Sequence, residues 1–467
     1  MATLRILAPD TSAELDWICS VIFTDYLGLS YAIEPATDNN FHLCLDQRQI
    51  ELPNIFFALT SDRWLRPSSL PATPLVTWDS RPTGLSPTLV EPTIPVIYGR
   101  TDQPSTVTDD YIYLPIDVFG SAFFMLSRYE EAVSLVRDEH DRFPAKASLA
   151  CSAGFIDRPI VDEYIAILWS ALTRLWPNLE RKQHRARTLI SCDIDSPFDP
   201  ACASLYRLGK RVLARSWRDK SLDRLPMTVR DYLAVKHGDY SSDPYRSGID
   251  WIMDANERAG NQVAFYFICE QTDEKRDTSV NVDEPRMRAM MRSVHARGHE
   301  IGIHPGYDTY KNPAKFAQSV SKLRRIMEEE GIKQDVLGGR QHYLRWETPT
   351  TAQLWEANGL TYDTTLSYAE RAGFRCGTCH EYHMYDLINR KRLNLLQRPL
   401  VVMESTVIDM QCMGLGYGDA ARELIYRYKR ICHQFDGDFT LLWHNSYFEN
   451  RAAKEMCSDV INAQVPA

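Results

Sequence analysis

A chain of 467 residues is too long for one ordinary hydrophobic core, so two domains are expected. Its 44% hydrophobic and 25% charged residues are the proportions of a folded globular protein and exclude long disordered spans. A formal charge of -9 argues against nucleic acid or an anionic membrane as the main partner, although residues 207–230 are locally basic and read as a solvated helix face.

Arg5 and Asp10 interrupt the amino terminus where an export signal would be apolar, and no run nears the roughly 18 apolar residues of a membrane span, so a cytoplasmic protein is expected. Eleven cysteines without framework spacing fit reduced thiols, and the CxxC of Cys376 and Cys379 reads as structural. In chain order, residues 4–8 read as a strand. Residues 13–27 read as an amphipathic helix with Leu15, Ile18, Ile22 and Tyr26 on its apolar side, and 55–59 as a buried strand. Prolines between Pro67 and Pro95 break any long helix there, leaving loops and edge strands. Residues 118–133 and 162–175 read as helices. The stretch 1–180 is thus expected to form a smaller mixed α/β accessory domain; it shows neither metal-spaced ligands nor a phosphate-binding glycine pattern.

From residue 188 strand-like and helix-like stretches alternate: strands at 188–193, 263–268, 299–304 and 440–443, helices at 249–258, 284–296, 313–330 and 353–358. Such alternation predicts parallel strands joined by right-handed crossovers, with chemistry gathered at the strands' carboxyl ends. At one such end stand Asp193 and Asp195, two apart and therefore facing one point, where two carboxylates repel unless a cation or a proton separates them. At another stands His304, followed by Pro305 and, four residues on, Asp308; a helical turn would put the imidazole and that carboxylate on one face. Asp195, His304 and Asp308 would then supply three ligands and leave a position for water, the arrangement of a catalytic zinc site. The stretch 362–379, dense in polar and aromatic residues, reads as a substrate loop in which Asp363, Tyr368, Arg371 and Arg375 meet sugar hydroxyls and Trp346 stacks on a pyranose face.

Taken together, SCDIDSP ending at Pro197, GHEIGIHPGYD ending at Asp308, RQHYLRW from Arg340 and LLWH ending at His444 resemble the ordered motifs of the polysaccharide deacetylases, the NodB-homology or carbohydrate esterase 4 group. The likeness covers about residues 188–448. It implies a distorted (β/α)7 barrel at 188–460, preceded by the accessory domain, and a divalent metal, zinc expected, as cofactor. It also implies a base aspartate, a general acid at His444, an arginine at Arg340 that orients the base or grips an anionic substrate group, and a backbone amide at Tyr307 for the oxyanion. Asp193 is taken as the base and Asp195 as a ligand, although the inserted Ile194 leaves the two roles interchangeable. Asp308 stands where the family has its second metal histidine, which makes the expected site harder in ligand character. Tyr307, His342, Arg345, Trp346, Asp363 and Arg371 are the expected substrate contacts. The function implied is removal of acetyl from an N-acetylated sugar or glycan precursor in surface-polysaccharide synthesis. The alternatives are a glycan-binding scaffold without activity and a hydrolase of another C–N bond.

Overall fold

The structure, a computed structural model, describes residues 3–100, 102–210 and 225–463. Most of the basic stretch 207–230 lies outside the described residues. Near the amino terminus are β1 (Leu4–Ala8), β2 (Tyr31–Pro35), β3 (Asn40–Cys44) and β4 (Gln49–Pro53), then β5 (Val76–Asp79), β6 (Thr93–Val96), β7 (Thr106–Val107) and β8 (Tyr111–Tyr113). A six-stranded sheet has the order β2-β1-β3-β4-β8-β7, while β5 and β6 pair with each other.

The expected helix at 13–27 forms, but only Ala13–Cys19 is α-helical; Ser20–Leu27 winds as a π-helix and stops at Gly28, whose φ of 67° ends it. The expected strand at 55–59 does not form. The amides of Ile55 and Phe56 donate to the buried carboxylate of Asp117 at 2.9 Å instead of to a neighbouring strand. The expected helix at 118–133 is two helices, Val118–Leu126 and Tyr129–Val133, because Arg128 turns the chain at a φ of 56°.

The second sheet holds the predicted site. Its strands are β9 (Arg187–Ile194), β10 (Val263–Phe267), β11 (Glu300–Ile303), β12 (Gly338–Gly339), β13 (Tyr362–Asp363), β14 (Tyr382–Asp386), β15 (Lys391–Gln397), β16 (Val402–Met403) and β17 (Asp438–Leu442). They lie in the order β14-β15-β13-β12-β11-β10-β9-β17-β16. All neighbours are parallel except β14 and β15. Helices Pro244–Ala259, Pro285–Ala296 and Pro313–Glu329 supply crossovers, as the alternating pattern requires. The expectation was a distorted (β/α)7 barrel; among the described residues the ladder is a run of nine strands whose outer members, β14 and β16, do not pair with each other.

Buried apolar residues are in contact across the expected boundary near residue 180. One buried apolar cluster runs from Leu4 to Ile461 and takes residues from both sheets. At the junction Trp17 packs 5.0 Å from Tyr385 and donates to the His383 carbonyl, while the buried Glu131 pairs with Arg375 at 2.8 Å and Arg128 at 2.9 Å.

Candidate metal centre

Register explains the site. Ile194 pairs with Phe267, Phe267 with Ile303 and Ile303 with Gly339; on the other side Leu442 pairs with Ser191. Parallel neighbours in this register bring Asp193, Asp195, His304, Arg340 and His444 to one level at the carboxyl end of the sheet.

The cluster contains Asp195, His304 and His342, each offering one ligand atom within 4.8 Å of the others. Asp195 Oδ1 lies 3.1 Å from Nε2 of His304 and 3.6 Å from Nε2 of His342. That oxygen is buried and has no hydrogen bond. Both imidazoles are anchored through the other nitrogen: Nδ1 of His304 faces the Arg340 carbonyl at 2.5 Å, and Nδ1 of His342 faces Asp277 Oδ1 at 2.7 Å. A carbonyl or a carboxylate can only accept, so each Nδ1 carries the proton and each Nε2 presents a lone pair toward the carboxylate. Lone pairs facing a carboxylate without a proton or cation between them repel, so either the imidazoles charge or an ion enters. Accordingly His342 is pushed up to about 9: burial acts to lower it, but Asp195 and Asp277 outweigh that. Asp195 is held well below the ordinary carboxylate range, burial being outweighed by His342, His304 and His444. Two imidazoles and one carboxylate suit zinc and its first-row neighbours.

Around the cluster, Arg340 is buried and donates from Nη1 to Asp193 Oδ1 at 2.7 Å, from Nη2 to Ser191 at 3.0 Å and from Nε to the Thr364 carbonyl at 3.0 Å. It therefore orients Asp193 through a single contact. Each of its three guanidinium nitrogens has a protein partner. The other oxygen of Asp193 lies 3.7 Å from His304 Nε2. His444 projects Nε2 to 3.5 Å from Asp195 Oδ2, and its Nδ1 donates to the buried Glu404 at 2.6 Å; the His444 amide reaches the same oxygen at 2.8 Å. Burial would depress His444, but Glu404, Asp195 and Asp193 raise it to about 10. A cation among these carboxylates would reduce that rise.

Several expected residues lie elsewhere. Asp308 is outside the cluster, because the chain after β11 passes through irregular turns and the helix begins only at Pro313. Its carboxylate faces Lys315 at 3.4 Å and Arg345 at 3.5 Å, and His342, expected as a substrate contact, occupies the position assigned to it. The Tyr307 amide donates to Asp277 Oδ1 at 2.8 Å, so it is committed rather than open to an oxyanion. Trp346 is buried and donates to Thr348, which denies its face to a sugar. Arg345 is sandwiched between the rings of Tyr307 and Tyr310 at 3.9 and 4.0 Å. Asp363 is fully buried beneath the site and holds the Thr365 amide; burial lifts it to about 7. Arg371 pairs with Asp157, and Arg375 is buried against Glu131. Tyr368 is buried as well.

Asp277 and Glu404 went unread in the sequence. Glu404 follows the apolar run Leu400 to Met403, the same signature of an acid closing a buried strand that marks Asp193. Asp277 sits in a connection where no spacing marks it. A large groove at the opposite, amino ends of the strands is lined by Arg187, Glu300, Arg398 and Lys429 and takes no part in this cluster.

Residues 4–177 match the model of a family of unknown function (DUF7033). Among curated proteins none matches. Among solved structures the chain is similar to one from Mycobacterium smegmatis described provisionally as a polysaccharide deacetylase, 14% identical over 61% of this chain and 86% of that one, with a TM-score of 0.39. Puue allantoinase is 14% identical over 60% and 83%, with a TM-score of 0.34. A further one from Pseudomonas aeruginosa PAO1, also provisionally described as a polysaccharide deacetylase, is 15% identical over 60% and 84%, with a TM-score of 0.35.

Proposed function

We propose that the chain is a metal-dependent hydrolase that removes acetyl from the amide nitrogen of an N-acetylated sugar or glycan precursor in the making of surface polysaccharide. The observation that carries this reading is the convergence of two Nδ1-anchored imidazoles on the orphaned oxygen of Asp195, beside an arginine-held aspartate and a carboxylate-held histidine. The order of the motifs that hold these residues is the one that resembles the deacetylases.

Asp195, His304 and His342 would hold a divalent cation, which when bound supplies Lewis acidity toward water and the acyl oxygen. Asp193, fixed by Arg340 through Oδ1, keeps its other oxygen free to take a proton from the attacking water. His444, whose Nδ1 is tied to Glu404, has only Nε2 to offer, and that nitrogen hands a proton to the departing amine. One C–O bond forms and one C–N bond breaks; water and amide give acetate and a free amino sugar. Buried Arg340 and Glu404 hold base and acid in place, so neither has to be oriented during the reaction.

The test is acetate release from N-acetyl sugars, nucleotide sugars and oligosaccharides by metal-supplemented protein. Asp193→Asn and His444→Ala are each expected to lower the rate by about 100- to 10,000-fold while the fold is kept. Full activity in both variants would refute the assignment.

A further inference from the structure

The region matched by the family of unknown function reaches the metal centre through one loop. Residues 138–142 form a tight turn, in which Asp138 Oδ1 accepts from the amides of His140 and Arg142 at 2.9 Å and Asp141 has a φ of 62°. From that turn Arg142 donates to the Tyr343 carbonyl at 3.0 Å, and the His140 ring lies 4.9 Å from that of Tyr343. His140 also joins Nδ1 to the Tyr307 hydroxyl at 3.0 Å, and its backbone carbonyl accepts from Arg345 Nε at 2.8 Å. Asp141 takes Lys311 at 2.9 Å and the Tyr310 hydroxyl.

The two segments so held are those that carry the imidazoles. Tyr343 follows His342, its ring 4.8 Å from that imidazole, and Tyr343 and Leu344 both take left-handed backbone, at φ 61° and 54°. Side-chain-bearing residues adopt that conformation only where their surroundings impose it. Tyr307 to Lys311 form the turn that leads away from His304. We infer that residues 138–142 are a clamp that fixes His342 and the turn after His304 for metal binding, making the amino-terminal region part of the catalytic unit. Arg142 and His140 are positioning residues within it. The inference rests on the reading of Asp195, His304 and His342 as the cation site.

The experiment is titration of the full-length apoprotein with cobalt(II), followed by its visible absorption, for wild type, Arg142→Ala, His140→Asn and the control Arg174→Gln. The control breaks an exposed pair with Asp109 in the same region, far along the chain from the clamp. Expected is a loss of cobalt affinity of about tenfold or more in each clamp variant, as for other residues that orient metal ligands, with no change in the control. Near-UV circular dichroism checks that each variant is folded, and the two clamp variants are read independently. Clamp variants that fold and bind cobalt as tightly as wild type would overturn the inference, as would a wild type that binds none. Tight cobalt binding weakened by Arg142→Ala but without acetate release from any sugar would sustain the clamp and refute the proposed reaction instead.

Discussion

At the scale of single residues the decisive substitution is between His342 and Asp308. Asp308 could share a face with His304 only on a helical turn directly after β11, and no helix starts before Pro313. His342→Ala should therefore weaken zinc binding by about tenfold or more in calorimetric titration, whereas Asp308→Asn, at a carboxylate that faces Lys315 and Arg345, should leave it unaltered. The opposite pattern would restore the sequence-based assignment. The acids and the first histidine were legible because each ends an apolar run that forms a buried strand. His342 was legible only as a member of a motif, since its ligand role depends on Asp277, which is 65 residues away in the chain. The misplaced substrate contacts share one cause: Asp363 and Arg375 in the loop-like stretch 362–379, and Trp346 before it, are polar or aromatic side chains that are buried, and composition alone does not reveal burial.

At the scale of elements, periodicity gave β9, β10, β11, β17 and the helices Pro244–Ala259, Pro285–Ala296 and Pro313–Glu329 to within a few residues. It left β14, β15 and the helices Asp419–Gln434 and Arg451–Asn462 unread. It failed at β12 and β16, two residues each. Gly338 and Gly339 do not resemble a strand in sequence, yet the structure requires glycine there: a Cβ on Gly339 would lie 1.9 Å from the Ile303 carbonyl oxygen. Gly339→Ala should push β12 from β11, displacing Arg340 and the carbonyl that anchors His304. Expected are a loss of about 1–3 kcal/mol in urea unfolding and weaker metal binding. A variant as stable and as metal-competent as wild type would show that the close approach at Gly339 does not govern the site.

At the scale of the whole molecule, the amino-terminal region was legible as mixed α/β but not as a partner of the site. Its contacts there join residues more than 160 positions apart, for which no local pattern exists. The continuous core predicts one cooperative unfolding transition, where an appended domain would give two. The buried triad of Glu131, Arg128 and Arg375 sets an acid limit on that stability. Burial opposes the charge on Glu131, but the two guanidinium groups prevail and hold it at about 2, against roughly 4.3 in an unfolded chain. A carboxylate depressed on folding stabilises above its unfolded value and ceases to do so as pH falls through the folded one, so this contribution should fade between about pH 4.3 and 2. Glu131→Gln, leaving two buried cations unpaired, should cost about 3–5 kcal/mol at neutral pH and reduce the acid sensitivity in that window. Unfolding midpoints measured across that range check both effects.

The central claim is that Asp195, His304 and His342 surround one divalent cation. Anomalous diffraction at the zinc edge from crystals grown with zinc tests it most directly. The account predicts a single strong peak about 2.0–2.2 Å from Nε2 of both histidines and from a carboxylate oxygen of Asp195. No peak there, or a peak held by Asp308 in place of His342, would contradict it.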